Sequence, residues 1–274
     1  MDINTVTSFR AARSRDALTL APGEDFIAGG TWSMSEPQPD TTGFVDLTTM
    51  AWPDIELLPD GLRISATCTI ARLLAWATDA TVAPTEWTAL SLVPDAANAL
   101  LASFKIWNTA TVGGNVCRSF AAGAMISLAV ALDGVAWIWQ PDGGERREPV
   151  ADIITGNAEN NLSRGEVLRA IELPTHALRS TAFLRKIALA ELGRSGCVIT
   201  GRIDEDGSAM FGLTAATLTP YVVRFDALPP QDVLTDAIAS APNFYTDPLG
   251  SADWRRGVSL ELAQNIRRDL EATR

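Results

Sequence analysis

The chain has 274 residues, 47% of them apolar, and a formal net charge of −11. That length holds one large domain or two modest ones, and the apolar share excludes a disordered chain. An acidic surface repels phosphate backbones, which excludes nucleic acid as a partner.

Residues 8–19 carry Phe9, Ala12, Ala17 and Leu18 among charges and are predicted to form a short helix stopped by Pro22-Gly23. Residues 25–28 read as a brief strand that feeds a glycine pair, and residues 43–47 as another strand. Pro59-Asp60-Gly61 between two apolar runs predicts a hairpin. Thr69 is placed to cap a helix carrying Ile70, Leu73, Leu74 and Ala77 on one face. A second helix is expected over residues 95–106, delivering the chain into a small-residue loop with a second glycine pair.

Residues 121–132 are apolar on all sides and predict a buried helix. With Gly123 and Ser127 inside it, this longest apolar stretch is too short to span a bilayer. Strands are expected at residues 136–139 and 167–173, and a boundary near residues 174–180. Three further strands follow, at 182–188, 197–203 and 209–218, and then a short helix at 232–238. The last helix has Trp254, Val258, Leu262, Ile266 and Leu270 at steps of four. The basic runs Arg146-Arg147, Arg255-Arg256 and Arg267-Arg268 sit beside acids and read as solvated faces.

Cys68, Cys117 and Cys197 are odd in number and widely spaced, so they indicate buried thiols rather than a disulfide framework or a metal site. His176 is the only histidine, placed in a loop after Leu173-Pro174, and it makes no triad or metal cluster. No charged-then-apolar leader opens the chain. A soluble, cytoplasmic protein is expected.

Chemistry concentrates at the two glycine pairs. Ile27-Ala28-Gly29-Gly30-Thr31-Trp32-Ser33 and Thr111-Val112-Gly113-Gly114-Asn115 have the same character. Each is an ordinary tight turn or an anion-binding concavity of consecutive N–H groups. Two such concavities suit the two phosphates of a dinucleotide.

These two stretches, in this order and at this separation, resemble the FAD-binding medium subunit of molybdenum hydroxylases, the xanthine dehydrogenase and carbon monoxide dehydrogenase group. Ala131-Leu132-Asp133, Glu166 to Pro174, Phe183-Leu184-Arg185-Lys186 and Ser251 to Arg256 extend the resemblance nearly end to end. It implies an α+β (α/β) fold of the PCMH type. Residues 1–176 would form the FAD-binding domain, with subdomains of about 1–55 and 56–176. Residues 177–274 would form a smaller C-terminal domain, a three-stranded sheet with helices, over the open side.

The resemblance further implies non-covalent FAD, and no His or Cys stands at the first loop to make a covalent link. Residues 27–33 and 111–115 would hold the diphosphate and flank the flavin. Leu168 would pack near the adenine end or the ring system, and Lys186 would reach the flavin. A cation there favours the anionic reduced flavin and raises its potential; a surface lysine is the alternative.

Molybdopterin and 2Fe-2S clusters would sit on a large and a small partner subunit, in a dimer of heterotrimers. The external electron acceptor would be NAD, oxygen or a quinone. Four departures stand out: Trp32 where the family often has Asp, Phe120 for a usual Pro, Arg194-Ser195-Gly196 after the Lys186 strand, where an Arg and an Asp are often found, and Ala124 for an Asp that helps fix the cofactor. Loss of that hydrogen-bond acceptor weakens FAD by about 1 kcal/mol. Two other readings stay open: an independent FAD-dependent oxidoreductase, and a scaffold subunit whose FAD site has decayed.

Overall fold

The computed structural model describes residues 4–191 and 193–273. The first unit is a parallel sheet of β1 (Ser8–Ala11), β2 (Glu24–Ile27) and β3 (Gly43–Asp46), in the order β1-β3-β2. The helix expected over residues 8–19 is thus a strand followed by a 3-10 turn, Arg15–Leu18. Phe9 is 59% exposed while Ala12 and Leu18 are buried, so the apolar residues of this stretch do not share one helical face. Pairing to β3 satisfies the backbone instead. Arg10 on β1 grips Glu24 on β2 with two bonds of 2.8 and 2.9 Å. That grip, with the Ala21 amide, holds the Glu24 carboxyl down at about 2.

The second unit is an antiparallel sheet in the order β4-β5-β10-β6-β7. Its strands are β4 (Ile55–Leu58), β5 (Gly61–Ser65), β6 (Val135–Trp139), β7 (Glu145–Pro149) and β10 (Val167–Pro174). Helices α1 (Ile70–Ala77), α2 (Leu92–Ala99), α3 (Phe104–Trp107), α4 (Val112–Arg118) and α5 (Ala124–Ala131) lie between β5 and β6 in the chain. The Thr69 side chain caps α1 by accepting from the Arg72 amide at 3.1 Å. All eight residues of α5 are buried, as its apolar periphery requires. A short helix α6 (Val150–Ile153) and a two-stranded ribbon, β8 (Ile154–Gly156) with β9 (Glu159–Asn160), precede β10.

The helix expected over residues 95–106 is two helices. After α2 the chain is extended at Leu100 (ψ 126°), and it re-enters a helix only after Ser103. Leu101 and Phe104 are 60% and 68% exposed, so the apolar stripe has no continuous face to bury there.

His176 falls in a helical turn, α7 (Thr175–Leu178), rather than in a loop. Beyond it, β11 (Thr181–Ile187), β12 (Cys197–Ile203), β13 (Ala209–Thr214) and β14 (Tyr221–Phe225) form one antiparallel sheet. The sheet has four strands where the sequence predicts three. The added strand begins just past Pro220, and its five β-branched, aromatic and basic residues pair along β13.

Helices α8 (Gln231–Ala239) and α9 (Ala252–Ala272) cover this sheet. The buried seam of α9 runs through Arg255, Ser259, Ala263, Ile266 and Leu270, one residue beyond the expected stripe in its first half. Arg255, read as solvated, is fully buried. It donates to the carbonyls of Gly196 (2.5 Å) and Ala215 (2.7 Å) and to Asp247 (2.5 Å), and stacks on Tyr245. A charge at an apolar seam is stable only with such a full set of acceptors.

Asp133, just past α5, joins the second unit to this sheet. It accepts from Arg202 on β12, from Arg224 on β14 at 2.5 Å, and contacts His176 at 3.1 Å. Burial opposes its charge, but these partners overcome that and hold its carboxyl well below the usual range.

Candidate functional site

A cleft of about 700 Å³ opens where the first glycine loop faces α4 and the break between α2 and α3. This volume lies within the range of small-molecule sites, roughly 300–1,000 Å³. Ile27, Ala28, Gly29, Gly30, Thr31, Trp32 and Ser33 line one side. Thr111, Gly114, Asn115, Cys117 and Arg118 come from the second glycine segment. Leu100, Leu101, Ala102 and Ile106 add an apolar wall, and Arg194 reaches in from the connection between β11 and β12.

The two glycine segments touch. A Cβ on Gly29 would lie 1.9 Å from the Thr109 carbonyl oxygen and 3.2 Å from the Ala110 Cα. Only glycine permits that approach of one backbone to the other. Gly30 takes φ +65° and turns the chain into a single helical turn, in which the Met34 amide donates to the Gly30 carbonyl. The amides of Gly29, Gly30, Thr31, Trp32 and Ser33 have no acceptor among the described residues. Five successive free N–H groups at the mouth of a cleft are a ready anion site.

The second pair differs. It lies in the first turn of α4, not in a loop, and its amides are spent. Val112 donates to Cys68 (2.9 Å), Gly113 to Ala66 (2.9 Å), Gly114 to the Thr111 hydroxyl (3.0 Å) and Asn115 to the Thr111 carbonyl (3.0 Å). A Cβ on Gly113 would lie 2.4 Å from that of Ala66, so this glycine serves helix-to-strand packing. The Asn115 side chain accepts from the Met125 amide at 2.9 Å and fixes the start of α5. The expectation that both pairs offer free amides therefore holds for the first alone.

The remaining sequence-predicted residues lie off the cleft wall. Val112 and Gly113 face the core. Leu168 is 3% exposed and pairs with Ile138 inside the five-stranded sheet. Lys186 on β11 donates to the Asn98 carbonyl at 2.8 Å, at the C-terminal end of α2, where a cation suits the helix dipole. Ala124 is buried in α5.

Trp32 is 38% exposed and is not core. Its ring meets Phe120 edge-on at 4.8 Å, and the Arg118 guanidinium lies 4.4 Å from the Trp32 ring and 4.3 Å from that of Phe120. Two departures from the family pattern thus pack on each other with a cation between them. The thiol of Cys117 is pushed up to about 12 by burial, as are those of Cys68 and Cys197, so none is a ready nucleophile. No grouping of His, Cys, Asp and Glu suited to a metal occurs among the described residues. Sequence reasoning missed Arg118 and the Leu100–Ala102 wall, and took Arg194 only as a departure from the family pattern. The signal available was a lone arginine shortly after the second glycine pair in an acidic chain.

Residues 4–176 match the family described as the FAD binding domain in molybdopterin dehydrogenase. The chain belongs to that family and is an oxidoreductase subunit of the molybdopterin dehydrogenase type. Its fold is that of solved relatives. It superimposes on a chain of carbon monoxide dehydrogenase from Oligotropha carboxidovorans with TM-score 0.83 and 19% identity, covering 97% of this chain and 98% of that one. The carbon monoxide dehydrogenase of Hydrogenophaga pseudoflava, in a form lacking the Mo-pyranopterin moiety, gives 0.79 and 18%, with the same coverage. Quinoline 2-oxidoreductase from Pseudomonas putida 86 gives 0.77 and 20%, over 96% and 97%. No curated protein sequence matches the chain. Among the described residues no helix is long and apolar enough to cross a membrane.

Proposed function

We propose that this chain is the FAD-binding electron-transfer subunit of a molybdenum hydroxylase. In this reading residues 1–176 hold non-covalent FAD in the cleft, and residues 177–274 close its open side. Substrate is hydroxylated at a molybdenum cofactor on a large partner. Electrons arrive through iron–sulfur clusters on a small partner and leave to NAD, oxygen or a quinone.

The observation that carries the reading is the row of five free amides, Gly29 to Ser33, set against the Thr109–Ala110 backbone at the cleft mouth. Such a row fits a diphosphate, and the apolar wall of Leu100, Leu101 and Ile106 fits a ring system. Bound flavin supplies the one- and two-electron chemistry itself; the protein positions and tunes it.

The test is to purify the chain alone and with co-expressed large and small subunits, and to record flavin absorbance at about 450 nm. Yellow protein that copurifies with an iron–sulfur subunit and a molybdenum subunit is the expected result. Flavin with substrate turnover in the isolated chain would instead make it an independent oxidoreductase. Colourless protein under every condition would make it a scaffold subunit.

A further inference from the structure

Most arginines in this chain meet a carboxylate: Arg10, Arg63, Arg146, Arg202 and Arg255 each have one within 3 Å, and Arg13 and Arg256, which have none among the described residues, are exposed. Two arginines on the cleft wall break that habit. Arg118, the last residue of α4, and Arg194, before β12, have no ion-pair partner among the described residues. The Nε of Arg118 is buried and donates to nothing. The carboxylate on the same wall is Glu36, which attracts Arg118 without bonding it.

The two guanidinium groups meet over one ring: that of Arg118 lies 4.3 Å from the Phe120 centroid and that of Arg194 5.1 Å. Arg118 also covers Trp32, a residue of the loop with the free amides. Burial moves Arg118 below its ordinary pKa, the cost of a cation set beside a cleft with no paired charge. Such a cost persists when something negative offsets it. In a chain of net charge −11, two convergent unpaired cations are a local reversal of sign, and they stand beside an amide row that also seeks an anion.

We infer that Arg118, lying over Trp32 and Phe120, and Arg194, lying over Phe120, are diphosphate-positioning residues that bind a dinucleotide diphosphate together with the Gly29–Ser33 amides. Arg118 comes from the part of the chain that carries the glycine loops and Arg194 from the part beyond the proposed boundary. The anion would therefore bridge the two parts. This inference rests on the FAD reading for the identity of the dinucleotide, and on the arginine geometry for the site itself.

The experiment is a titration of the flavin-free full chain and its R118Q, R118K, R194Q and R118Q/R194Q variants with FAD, with riboflavin and with inorganic pyrophosphate, at low and high salt. Calorimetry gives the affinities, and circular dichroism with thermal melting checks that each variant is folded. The expected result is an FAD affinity at least tenfold weaker in R118Q and weaker again in the double variant. Riboflavin affinity should be unchanged, R118K should recover most of the loss, and the salt dependence of FAD binding should be shallower in the double variant.

Equal losses for FAD and riboflavin, or no loss for FAD, would overturn the assignment. Pyrophosphate bound by wild type and lost in the double variant, with no FAD bound at all, would keep the arginine site and sink the flavin reading. Neither ligand bound would sink both.

Discussion

The two glycine pairs look alike in sequence and do opposite work. Gly29-Gly30 ends a parallel strand, approaches the Thr109 backbone and leaves five amides open. Gly113-Gly114 sits in the first turn of α4 with every amide bonded, and Gly113 exists so that the helix can lie on Ala66. One pair makes a binding edge; the other makes the wall on which that edge rests. A glycine doublet therefore reports close backbone approach, and the approaching partner decides whether it serves a ligand or the fold.

Substitutions can break this contrast. The largest effect is expected for Gly113→Ala, whose new methyl would enter the Ala66 backbone and side chain. Overpacking of this kind costs about 3 kcal/mol. In thermal melts without flavin the midpoint should fall by roughly 6–12 °C. A midpoint within a degree of wild type would mean that the second pair is not a packing device.

Gly30→Ala should act mainly on the ligand. A left-handed backbone costs a residue with a Cβ roughly 1–2 kcal/mol. The added methyl meets only the flexible ends of Ile27 and Met34, at 3.2 and 3.4 Å. FAD titrations should show weaker binding by more than the modest drop in melting temperature explains. Equal effects on both would blur the distinction between the pairs.

Thr111→Ala removes the cap of α4, worth about 1 kcal/mol, and frees the Gly114 amide on the cleft wall. Denaturant unfolding should register the lost stability. If FAD tightens at the same time, the second pair can be turned into a binding edge by one hydroxyl.

The smallest effect concerns pH. Glu24 supports the strand that carries the first loop, and its carboxyl is held at about 2, below its ordinary 4.5. Because the folded value is depressed, its contribution is fully present above about pH 4.5 and fades as pH falls towards 2. In Glu24→Gln that part of the acid-induced loss should disappear. Unfolding midpoints recorded between pH 5 and 2 would reveal an unaltered profile if the Arg10–Glu24 pair were idle.

Much of the architecture was legible in the residues. The buried α5, the Thr69 cap, the Pro59-Asp60-Gly61 hairpin and the long last helix all follow from local chemistry. The helix expected over residues 8–19 failed because a parallel partner 35 positions along the chain outweighed a weak apolar spacing. The fourth strand of the last sheet is only five residues long, and pairing along β13 is what defines it. Arg255 read as solvated because a charge beside another arginine usually is; only the carbonyls of Gly196 and Ala215, far along the chain, make its burial tolerable.

By itself the sequence marked two places where one backbone could approach another closely, since a glycine doublet carries no Cβ to keep them apart. It also determined that an all-round apolar helix would be buried and that the surface would be acidic. Tertiary structure alone decided which doublet keeps its amides free, where α2 breaks to form the cleft wall, and that Arg118 and Arg194 converge on one phenyl ring. Conformational freedom is a property of a residue. Whether a hydrogen bond or a charge is satisfied depends on neighbours that the fold brings from elsewhere in the chain.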